Sequence, residues 1–549
     1  MAKAPSAPRR RLPRTPKAGG NGGAASARQP QKKRTPPFVA KTIPLSYPPF
    51  HFHRKINVPQ LLFYSPQVYF SVVFLLLFFV HHIFPSTKKK IAVMSGEQAI
   101  DQKYLDKQSR TIGTYGLETM TKLISFKVLI VGCRGVGVEI AKNLALAGIR
   151  AINFYDPTKC SAFAMGTNFA VTEESVKQGK TLAEVSCVYI SDLNPNTRCT
   201  VVAELTEQTV AENTAVIFTS GAPDLSMKTL AQWDDFCRNR KPAISFILAL
   251  QFGAVSSIFV DHGPKFIVKD KDGRPALQKS IVEINTLKDA QGKSFSRIRF
   301  ETPEGQTPGA MRDYTQVKFS DVEGLTKDGK SINGSVFDGV VCLKDPRNTV
   351  RIYPSLEEQG YSAYKTGGFL HEVHEVIEMN FRSLSQSIKS PGDFIPVSPF
   401  MDNVEEEKTH LLTRALLVYS EKNGGKFPAL HDPSEAKKVV ELAKQLNQEN
   451  AKFPKPKEVA LPRRVSSPDF PPVQPPPPPP APLVVEQIDE SFIETISLIS
   501  AVELQPLTSF VGAVVAQEVV KITGKYTPIF QWFHLSSAAA LPNASTLVP

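Results

Sequence analysis

The chain has 549 residues, which is enough for several domains with sizeable cores. Its formal net charge is +13, but residues 1–93 hold 16 Lys and Arg and no acid, which leaves 49 basic against 52 acidic residues in 94–549. The body is therefore nearly neutral, and we expect no nucleic-acid partner. Six scattered cysteines without a CxxC pair indicate a reducing compartment and exclude a disulfide framework or a zinc ribbon.

The first 93 residues form a basic tail that differs from the rest of the chain. Residues 1–43 are rich in Arg, Lys, Pro, Gly and Ala, a composition that predicts disorder. The apolar segment at 68–84, VYFSVVFLLLFFVHHIF, is shorter than the roughly 20 residues of a membrane span. Two readings stay open: the segment tethers the protein to a membrane, or translation begins at Met94 and the tail is not part of the working protein.

A strand, a glycine turn, a helix and a second strand follow one another near residue 130. LETMTKLIS is a predicted helix, KVLIVG a buried strand and VEIAKNLALAG a helix that ends at Gly148. AINFYDP is the next strand and ends on Asp156. The alternation continues through TRCTVVAEL, AVIFTSG, TLAQWDDFCRNR and AISFILAL. This order predicts an α/β domain of the doubly wound, Rossmann-like type.

Two inserts interrupt the predicted α/β domain. Short alternating strands between DHG, KDG and PEG turns predict a small all-β insert, and later amphipathic stretches predict helices. The proline-rich loop at 454–483 is either a solvated insertion or a polyproline II ligand for SH3-type or WW-type domains. We therefore expect a doubly wound domain in three parts (100–261, 351–384 and 501–549), a β-rich insert (262–350) and a helical bundle (385–500).

The glycine turn is the strongest candidate for a nucleotide site. Glycines at 132, 135 and 137 allow backbone N–H groups and a helix N-terminus to approach a phosphate closely. Asp156 lies about where the ribose-binding acid of such folds sits. Arg134, however, stands nearest the phosphate position. The turn is therefore either a live cofactor site formed by Gly132, Gly135, Gly137 and Asp156, or part of a doubly wound core that no longer binds a nucleotide.

Four stretches occur in an order that makes a family resemblance specific. They are SRTIGTYGLETMTKL (109–123), VLIVGCRGVGVEIAKNLALAGI (128–149), the strand end at Asp156, and VAQEVVKITGKYTPIFQWF (515–533). Together they resemble the N-terminal half of single-chain ubiquitin-activating enzymes, the E1 family, whose ThiF-like adenylation domain there is inactive. The resemblance covers about residues 105–540. The family's glycine turn is similar to GCRGVGVE, so it implies that Arg134 is a family feature.

The resemblance implies an activity for the assembled enzyme. A companion active domain adenylates the C-terminal glycine of ubiquitin, or of a ubiquitin-like modifier, with ATP and Mg²⁺. A cysteine in that half then forms a thioester and passes the modifier to an E2. In this family an arginine near the N-terminus reaches the ATP phosphates of the active domain, and Arg110 matches it. Gln108 and Thr111 depart from the motif, and a surface ion pair is the alternative role for Arg110.

The residues that an active adenylation domain needs are replaced in this chain. Thr167 stands where the family has an arginine, and Leu182 where it has a second lysine. A leucine cannot stabilise the charge that develops on a phosphate. Asp224 is a weak candidate for a magnesium ligand, and Cys199 is better explained as a strand cysteine than as a nucleophile. We therefore predict no catalytic residue and no metal site within this chain.

The function that we expect is that of the non-adenylating half of an E1-type enzyme, acting in the cytoplasm and nucleus. The chain ends at Pro549, about where the family's active domain begins, so we expect a fragment, a separate subunit or a pseudoenzyme. The apolar stripe of Val511, Val514, Val515 and Val519 fits either an interface with the active half or plain core packing. The alternatives are an NAD-binding oxidoreductase and a membrane-associated adaptor that is tethered through 68–84.

Overall fold

The structure analysed is a computed structural model, and it describes the body of the chain with several gaps. The described residues are 109–274, 276–301, 316–341, 349–374, 376–394, 404–453 and 480–541. The tail at 1–93, with its apolar segment, and most of the proline-rich loop lie outside the described residues. Within the described ranges, no helix combines the length and the apolar character that crossing a bilayer requires.

A seven-stranded sheet lies at the centre of the fold. Its spatial order is β19-β6-β5-β4-β1-β2-β3, for β1 (Lys127–Val131), β2 (Ala151–Tyr155), β3 (Arg198–Val201), β4 (Ala215–Thr219), β5 (Ser245–Phe252), β6 (Val255–Asp261) and β19 (Trp532–Ser536). Five neighbouring strands are parallel to one another: β5, β4, β1, β2 and β3. At one edge of the sheet, β6 pairs antiparallel with β5, and β19 pairs antiparallel with β6. The order reverses between β1 and β4, where doubly wound sheets place their ligands. The predicted doubly wound α/β class is confirmed.

The central strand β1 is apolar from Val128 to Val131 because both of its faces are covered there, and only its first residue, Lys127, is exposed. Val128 and Ile130 belong to the core on one side of the sheet, and Leu129 and Val131 belong to the core on the other side. All four side chains are at most 1% exposed. A parallel strand that is buried on both faces reads as a continuous apolar run instead of an alternating one.

Helices cover both faces of the sheet. Before β1 lie α1 (Ser109–Tyr115) and α2 (Leu117–Leu123), and later come α3 (Gly135–Ala147), α4 (Glu173–Lys177), α5 (Leu182–Leu193), α6 (Glu207–Ala211), α7 (Met227–Arg238), α8 (Leu384–Ser387), α9 (Val404–Lys422), α10 (Pro433–Ala451), α11 (Glu490–Leu498) and α12 (Gln505–Lys521). The helices α3, α5 and α12 pack on one face, and α7 and α9 pack on the other. The helical region predicted at 385–500 thus contacts the sheet through α9, and α10 packs on α9 and α11 packs on α10 within the same core.

The apolar stripe of valines on α12 packs mainly in the core of the domain. Val511, Val515 and Val519 are fully buried and belong to the core that α12 shares with α3. Val514 alone is half-buried. Of the two roles predicted for this stripe, packing within the domain therefore accounts for three of its four members.

The β-rich insert is a closed six-stranded barrel. The strands of this region are β7 (Phe266–Val268), β8 (Gln278–Lys288), β9 (Ser294–Phe300), β10 (Gln316–Ser320), β11 (Glu323–Gly324), β12 (Thr326–Lys327), β13 (Lys330–Ser331), β14 (Val336–Val341), β15 (Thr349–Ile352), β16 (Tyr364–Thr366), β17 (Phe369–Val373) and β18 (Ile377–Met379). The order around the barrel is β10-β14-β15-β9-β8-β17, and smaller strand pairs accompany it. The barrel extends past residue 350, where we placed its end, because β17 pairs with both β10 and β8.

A buried polar cluster joins the sheet domain to both ends of the insert. The guanidinium of Arg238 on α7 contacts the carboxylate of Asp261, the last residue of β6, and donates to the carbonyl of Phe381 at 2.5 Å. Asp234, one turn earlier on α7, accepts a hydrogen bond from the amide of Leu384 at 2.7 Å. The segments that enter and leave the insert are therefore both held by α7.

Candidate functional site

The glycine turn lies between β1 and α3, at the switch point of the sheet. Gly132 has a φ of 94°, in the left-handed region that favours glycine. A Cβ on Gly132 would lie 2.3 Å from the amide nitrogen of Ala222, and a Cβ on Gly137 would lie 2.1 Å from the carbonyl oxygen of Gly132. Both glycines are therefore needed for the close packing of the turn on its own surroundings.

Both carboxylate oxygens of Asp156 accept hydrogen bonds from backbone amides, one of them in the glycine turn. One carboxylate oxygen accepts from the amide of Cys133 at 2.7 Å, and the other accepts from the amide of Thr158 at 2.9 Å. The side chain is only 2% exposed. Burial raises the pKa of Asp156 above its usual range, although these hydrogen bonds and the charge of Arg134 oppose the rise. With both oxygens engaged by backbone amides, Asp156 is poorly placed to bind a ribose.

The N-terminus of α3 is filled by a carboxylate from a distant part of the chain. One oxygen of Glu503 accepts a hydrogen bond from the amide of Val136 at 3.2 Å, and the other accepts from the Ser220 hydroxyl at 2.6 Å. Glu503 is 4% exposed, and a Cβ on Gly135 would lie 2.7 Å from its carboxylate oxygen. Unpaired amides at a helix N-terminus form a natural anion site. Here the protein supplies its own anion.

Arg134 holds the segment that contains Glu503 against the glycine turn. Its guanidinium donates to the carbonyl oxygen of Ala501 at 2.7 Å and lies 5.5 Å from the ring centroid of Phe163. A Cβ on Gly221 would come within 2.9 Å of the Arg134 side chain, so Gly221 leaves room for it. The arginine thus points to a carbonyl of this chain, and the residues around the turn do not fit a bound nucleotide.

Comparison with known proteins assigns the family. The model of the ThiF family matches residues 106–540. The chain belongs to the ThiF family. It is 30% identical over 458 residues to ubiquitin-activating enzyme E1 2 of Arabidopsis thaliana, an alignment that covers 82% of this chain and 36% of that protein. Human ubiquitin-like modifier-activating enzyme 1 is 26% identical over 439 residues, which cover 79% of this chain and 36% of the relative.

This ThiF-family chain spans about a third of the length of the curated relatives that it matches. The resemblance to ubiquitin-activating enzymes that the sequence motifs predicted is confirmed. Among solved structures, E. coli MccB with succinimide shows 19% identity over 29% of this chain and 49% of that one, with a TM-score of 0.25.

The two positions at which this ThiF domain departs from the active adenylation motif are structural. Leu182, the first residue of α5, is 1% exposed and lies in the core. Thr167 packs its Cβ near Gly135, where an added Cβ would lie 2.7 Å away. The neighbouring Asn168 is fully buried and donates to the carbonyl of Cys133 at 2.6 Å. Neither replaced position offers a cation to a phosphate.

Asp224 stabilises the turn that precedes α7, whose N-cap is Ser226. One carboxylate oxygen accepts from the amide of Ser226 at 2.8 Å, and the other accepts from the Thr229 hydroxyl at 2.7 Å. Partial burial acts to raise the pKa of Asp224, but these hydrogen bonds outweigh it and the pKa is lowered. Among the described residues, no group of three or more His, Cys, Asp or Glu side chains is arranged to hold a metal ion.

The described cysteines have environments opposite to that of a nucleophile. Burial raises the pKa of Cys199, which lies on β3, to about 11. Burial also raises the pKa values of Cys133, Cys160, Cys187 and Cys237. A reactive cysteine needs a lowered pKa because the thiolate is the nucleophile. The interpretation of Cys199 as a strand cysteine agrees with this geometry, and Cys342 lies outside the described residues.

Arg110 lies on the short helix α1, and its side chain is exposed. The structure brings Gly132, Gly135, Gly137 and Asp156 together in one turn. Sequence reasoning missed Glu503, which completes that turn from 367 positions beyond Val136. No local motif marks Glu503, because it precedes α12 in an ordinary stretch, AVELQP.

Proposed function

We propose that this chain acts as the non-adenylating half of a ubiquitin-activating, E1-type assembly. In this proposal a second, active half binds ATP and Mg²⁺, adenylates ubiquitin or a ubiquitin-like modifier, and carries the cysteine that passes it to an E2. The observation that carries the proposal is the Glu503 carboxylate at the N-terminus of α3. A family member whose phosphate position is filled by its own acid is suited to a supporting role.

The chemistry of adenylation defines what a supporting half can contribute. Joining AMP to a carboxylate makes the carbonyl electrophilic, and the pyrophosphate that leaves must be neutralised by basic groups. Arg110 is exposed on α1, so its guanidinium is free to contact a phosphate on another domain. We assign it that positioning and neutralising role, and we assign the barrel insert to contacts with the modifier.

The first experiment tests whether the chain itself binds a nucleotide. Purified chain is titrated with ATP and, separately, with NAD, and binding is followed by isothermal calorimetry. We expect no saturable heat with either ligand, since Glu503 and Arg134 close the turn. Saturable ATP binding would overturn the non-adenylating role, and saturable NAD binding would favour the oxidoreductase alternative.

The second experiment tests the role of Arg110 in the assembled enzyme. The chain is captured from its own cells with its co-purifying chains, and modifier-dependent ATP–pyrophosphate exchange is measured. We expect Arg110→Ala to slow exchange by about 100- to 1,000-fold, the range for removing one preorganised donor to a developing charge, while Arg110→Lys retains part of the rate.

Arg150→Ala is the matched control for Arg110→Ala. Arg150 is also exposed, so its removal tests the effect of losing one positive charge from the surface. Exchange should be unchanged in this control. Exchange that is equally fast in the Arg110→Ala enzyme would remove Arg110 from the mechanism, whereas exchange absent from every preparation would count against the E1-type assembly itself.

A further inference from the structure

Two Asn-Gly pairs lie in turns of the part of the chain that the structure describes, and the fold holds them very differently. Asn333-Gly334 follows β13 in the barrel region, and Asn423-Gly424 follows Lys422, the last residue of α9. An asparagine before a glycine deamidates readily, because no Cβ hinders the approach of the glycine amide nitrogen to the asparagine side chain. The reaction needs an asparagine side chain that can turn towards that nitrogen and an amide that is free to attack.

The barrel pair is held by three hydrogen bonds. The side-chain carbonyl of Asn333 accepts from the amide of Val322 at 2.9 Å, and its NH2 group donates to the carbonyl of Val322 at 3.0 Å. The amide of Gly334, which is the attacking group, donates to the carbonyl of Phe319 at 2.8 Å. Attack would break all three bonds, so we expect the barrel pair to resist deamidation.

The pair at the end of α9 has only one of these restraints. The NH2 group of Asn423 donates to the carbonyl of Tyr419 at 2.7 Å. Within the described ranges, the side-chain carbonyl of Asn423 accepts no hydrogen bond and the amide of Gly424 donates none. Both residues are exposed, and a Cβ on Gly424 would meet nothing within 4 Å. The turn therefore has the room, the solvent and the free amide that the reaction needs.

We propose that Asn423 is a site of spontaneous deamidation in the folded chain. The amide nitrogen of Gly424 forms a bond to Cγ of Asn423, and the Cγ–Nδ2 bond breaks as ammonia leaves with the proton that the amide gives up. Water then opens the resulting succinimide ring at one of its two carbonyls and leaves aspartate or isoaspartate at position 423. Water is the sole co-reactant, and the proposal does not depend on the function proposed above.

The carboxylate that forms lies at an unfavourable place for α9. Negative charge near a helix C-terminus is opposed by the helix dipole. A carboxylate has no donor, so the carbonyl of Tyr419 also loses its bond from Asn423. The same turn already packs against an acid, because a Cβ on Gly425 would lie 2.8 Å from a carboxylate oxygen of Asp224. Deamidation should therefore loosen the end of α9 from the segment that precedes α7.

The test compares both pairs in one sample of the full chain. The purified protein is incubated at mildly alkaline pH, which promotes attack by deprotonating the amide, and mass-spectrometric peptide mapping follows deamidation at Asn423 and Asn333. We expect Asn423 to react about 10- to 100-fold faster, since two additional hydrogen bonds must break at Asn333. In urea-unfolded chain the two rates should become similar. Equal rates in the folded chain would overturn the proposal.

Two variants at position 423 separate the reaction from its consequence. Asn423→Gln requires closure of a larger ring and should suppress most of the deamidation of the folded chain, while the rate at Asn333 stays unchanged. An undiminished total rate in Asn423→Gln would place the reaction elsewhere and exclude Asn423. Asn423→Asp carries the charge of the product and should melt at a lower temperature than Asn423→Gln. Equal melting temperatures would contradict the predicted loosening of α9.

Discussion

The carboxylate of Glu503 lies 3.2 Å from the amide nitrogen of Val136, although 367 positions separate the two residues in the chain. The contact places an internal anion where a helix N-terminus would otherwise attract a phosphate. Arg134 holds the backbone two residues before Glu503, through the carbonyl of Ala501. The glycine turn of this ThiF-family chain is therefore closed by the protein itself.

Removing the Glu503 carboxylate should expose an anion site and weaken the fold. Glu503→Ala leaves the Ser220 hydroxyl and the Val136 amide without their acceptor, which we expect to cost about 1–3 kcal/mol. Sulfate should then restore stability by binding at the N-terminus of α3. The measurement is the melting temperature in sulfate and in chloride at equal ionic strength.

Sulfate stabilises most proteins through its exclusion from their surfaces, so the Glu503→Ala result must be compared with a matched variant. Glu441→Ala removes an exposed acid far from the turn in sequence. We expect the gain in melting temperature to be larger for Glu503→Ala than for wild type or Glu441→Ala. Equal gains in all three proteins would show that no anion site had been opened.

Arg134→Ala should destabilise the chain because it releases the segment over the turn. The loss of the charged hydrogen bond to Ala501 and of the contact with Phe163 predicts about 1–2 kcal/mol at this half-buried position. Urea unfolding measures the change. The control is Arg240→Ala, whose guanidinium lies over Phe236 at the same 5.5 Å and is exposed, for an expected loss of about 0.5–1 kcal/mol. An equal loss of unfolding free energy in Arg134→Ala and Arg240→Ala would show that Arg134 does not hold the Glu503 segment in place.

The carboxyl groups of Asp234 on α7 and Asp261 on β6 predict that the stability of the chain depends on pH. Burial, and then the charge of Asp261, raise the pKa of Asp234 well above its usual range. A raised pKa in the folded state means that the proton is held more tightly there. The stabilisation is therefore complete below about pH 4, the ordinary Asp pKa, and is lost as the pH rises towards the folded pKa.

Asn in place of Asp234 mimics the protonated acid and removes this titration. The unfolding free energy of wild type minus that of Asp234→Asn should fall between pH 4 and pH 8, as measured by urea titrations across that range. Asp261→Asn is the contrasting variant, because it leaves the largely buried guanidinium of Arg238 without its anion and should cost about 3 kcal/mol. A constant difference between wild type and Asp234→Asn would mean that Asp234 titrates normally.

Restoring the missing lysine of the adenylation motif should damage the fold without creating activity. Leu182 is 1% exposed in the main core, so Leu182→Lys buries an ammonium group with no counter-charge and should cost about 4 kcal/mol or more. Leu182→Met keeps the volume and should cost less than about 1.5 kcal/mol. Thermal unfolding with an ATP titration provides the readout; a stable Leu182→Lys protein that binds ATP would contradict the structural role.

Local sequence patterns were sufficient to predict the strand β1, the helix α3 and the α/β fold class. KVLIVG forms the buried strand β1, and the helix that we expected to stop at Gly148 ends there with a left-handed residue. Both features lie within one βαβ unit. These predictions held because hydrophobic period and turn residues report on structure within a few residues.

The boundary of the barrel could not be placed in the same way. The segment after residue 350 contains Glu372, a buried acid in β17, and this breaks the alternation that marks a strand. Only the pairing of β17 with β10 and β8 assigns it to the barrel. Likewise, the stripe on α12 fitted two roles until packing on α3 placed three of its valines in the core.

The sequence by itself determined the α/β alternation and the position of the glycine turn, since each depends on neighbouring residues. Only the tertiary structure decided what fills the turn. Glu503 reaches Val136 because the sheet and α12 bring distant segments together. This contact has no local pattern, since it arises from long-range packing.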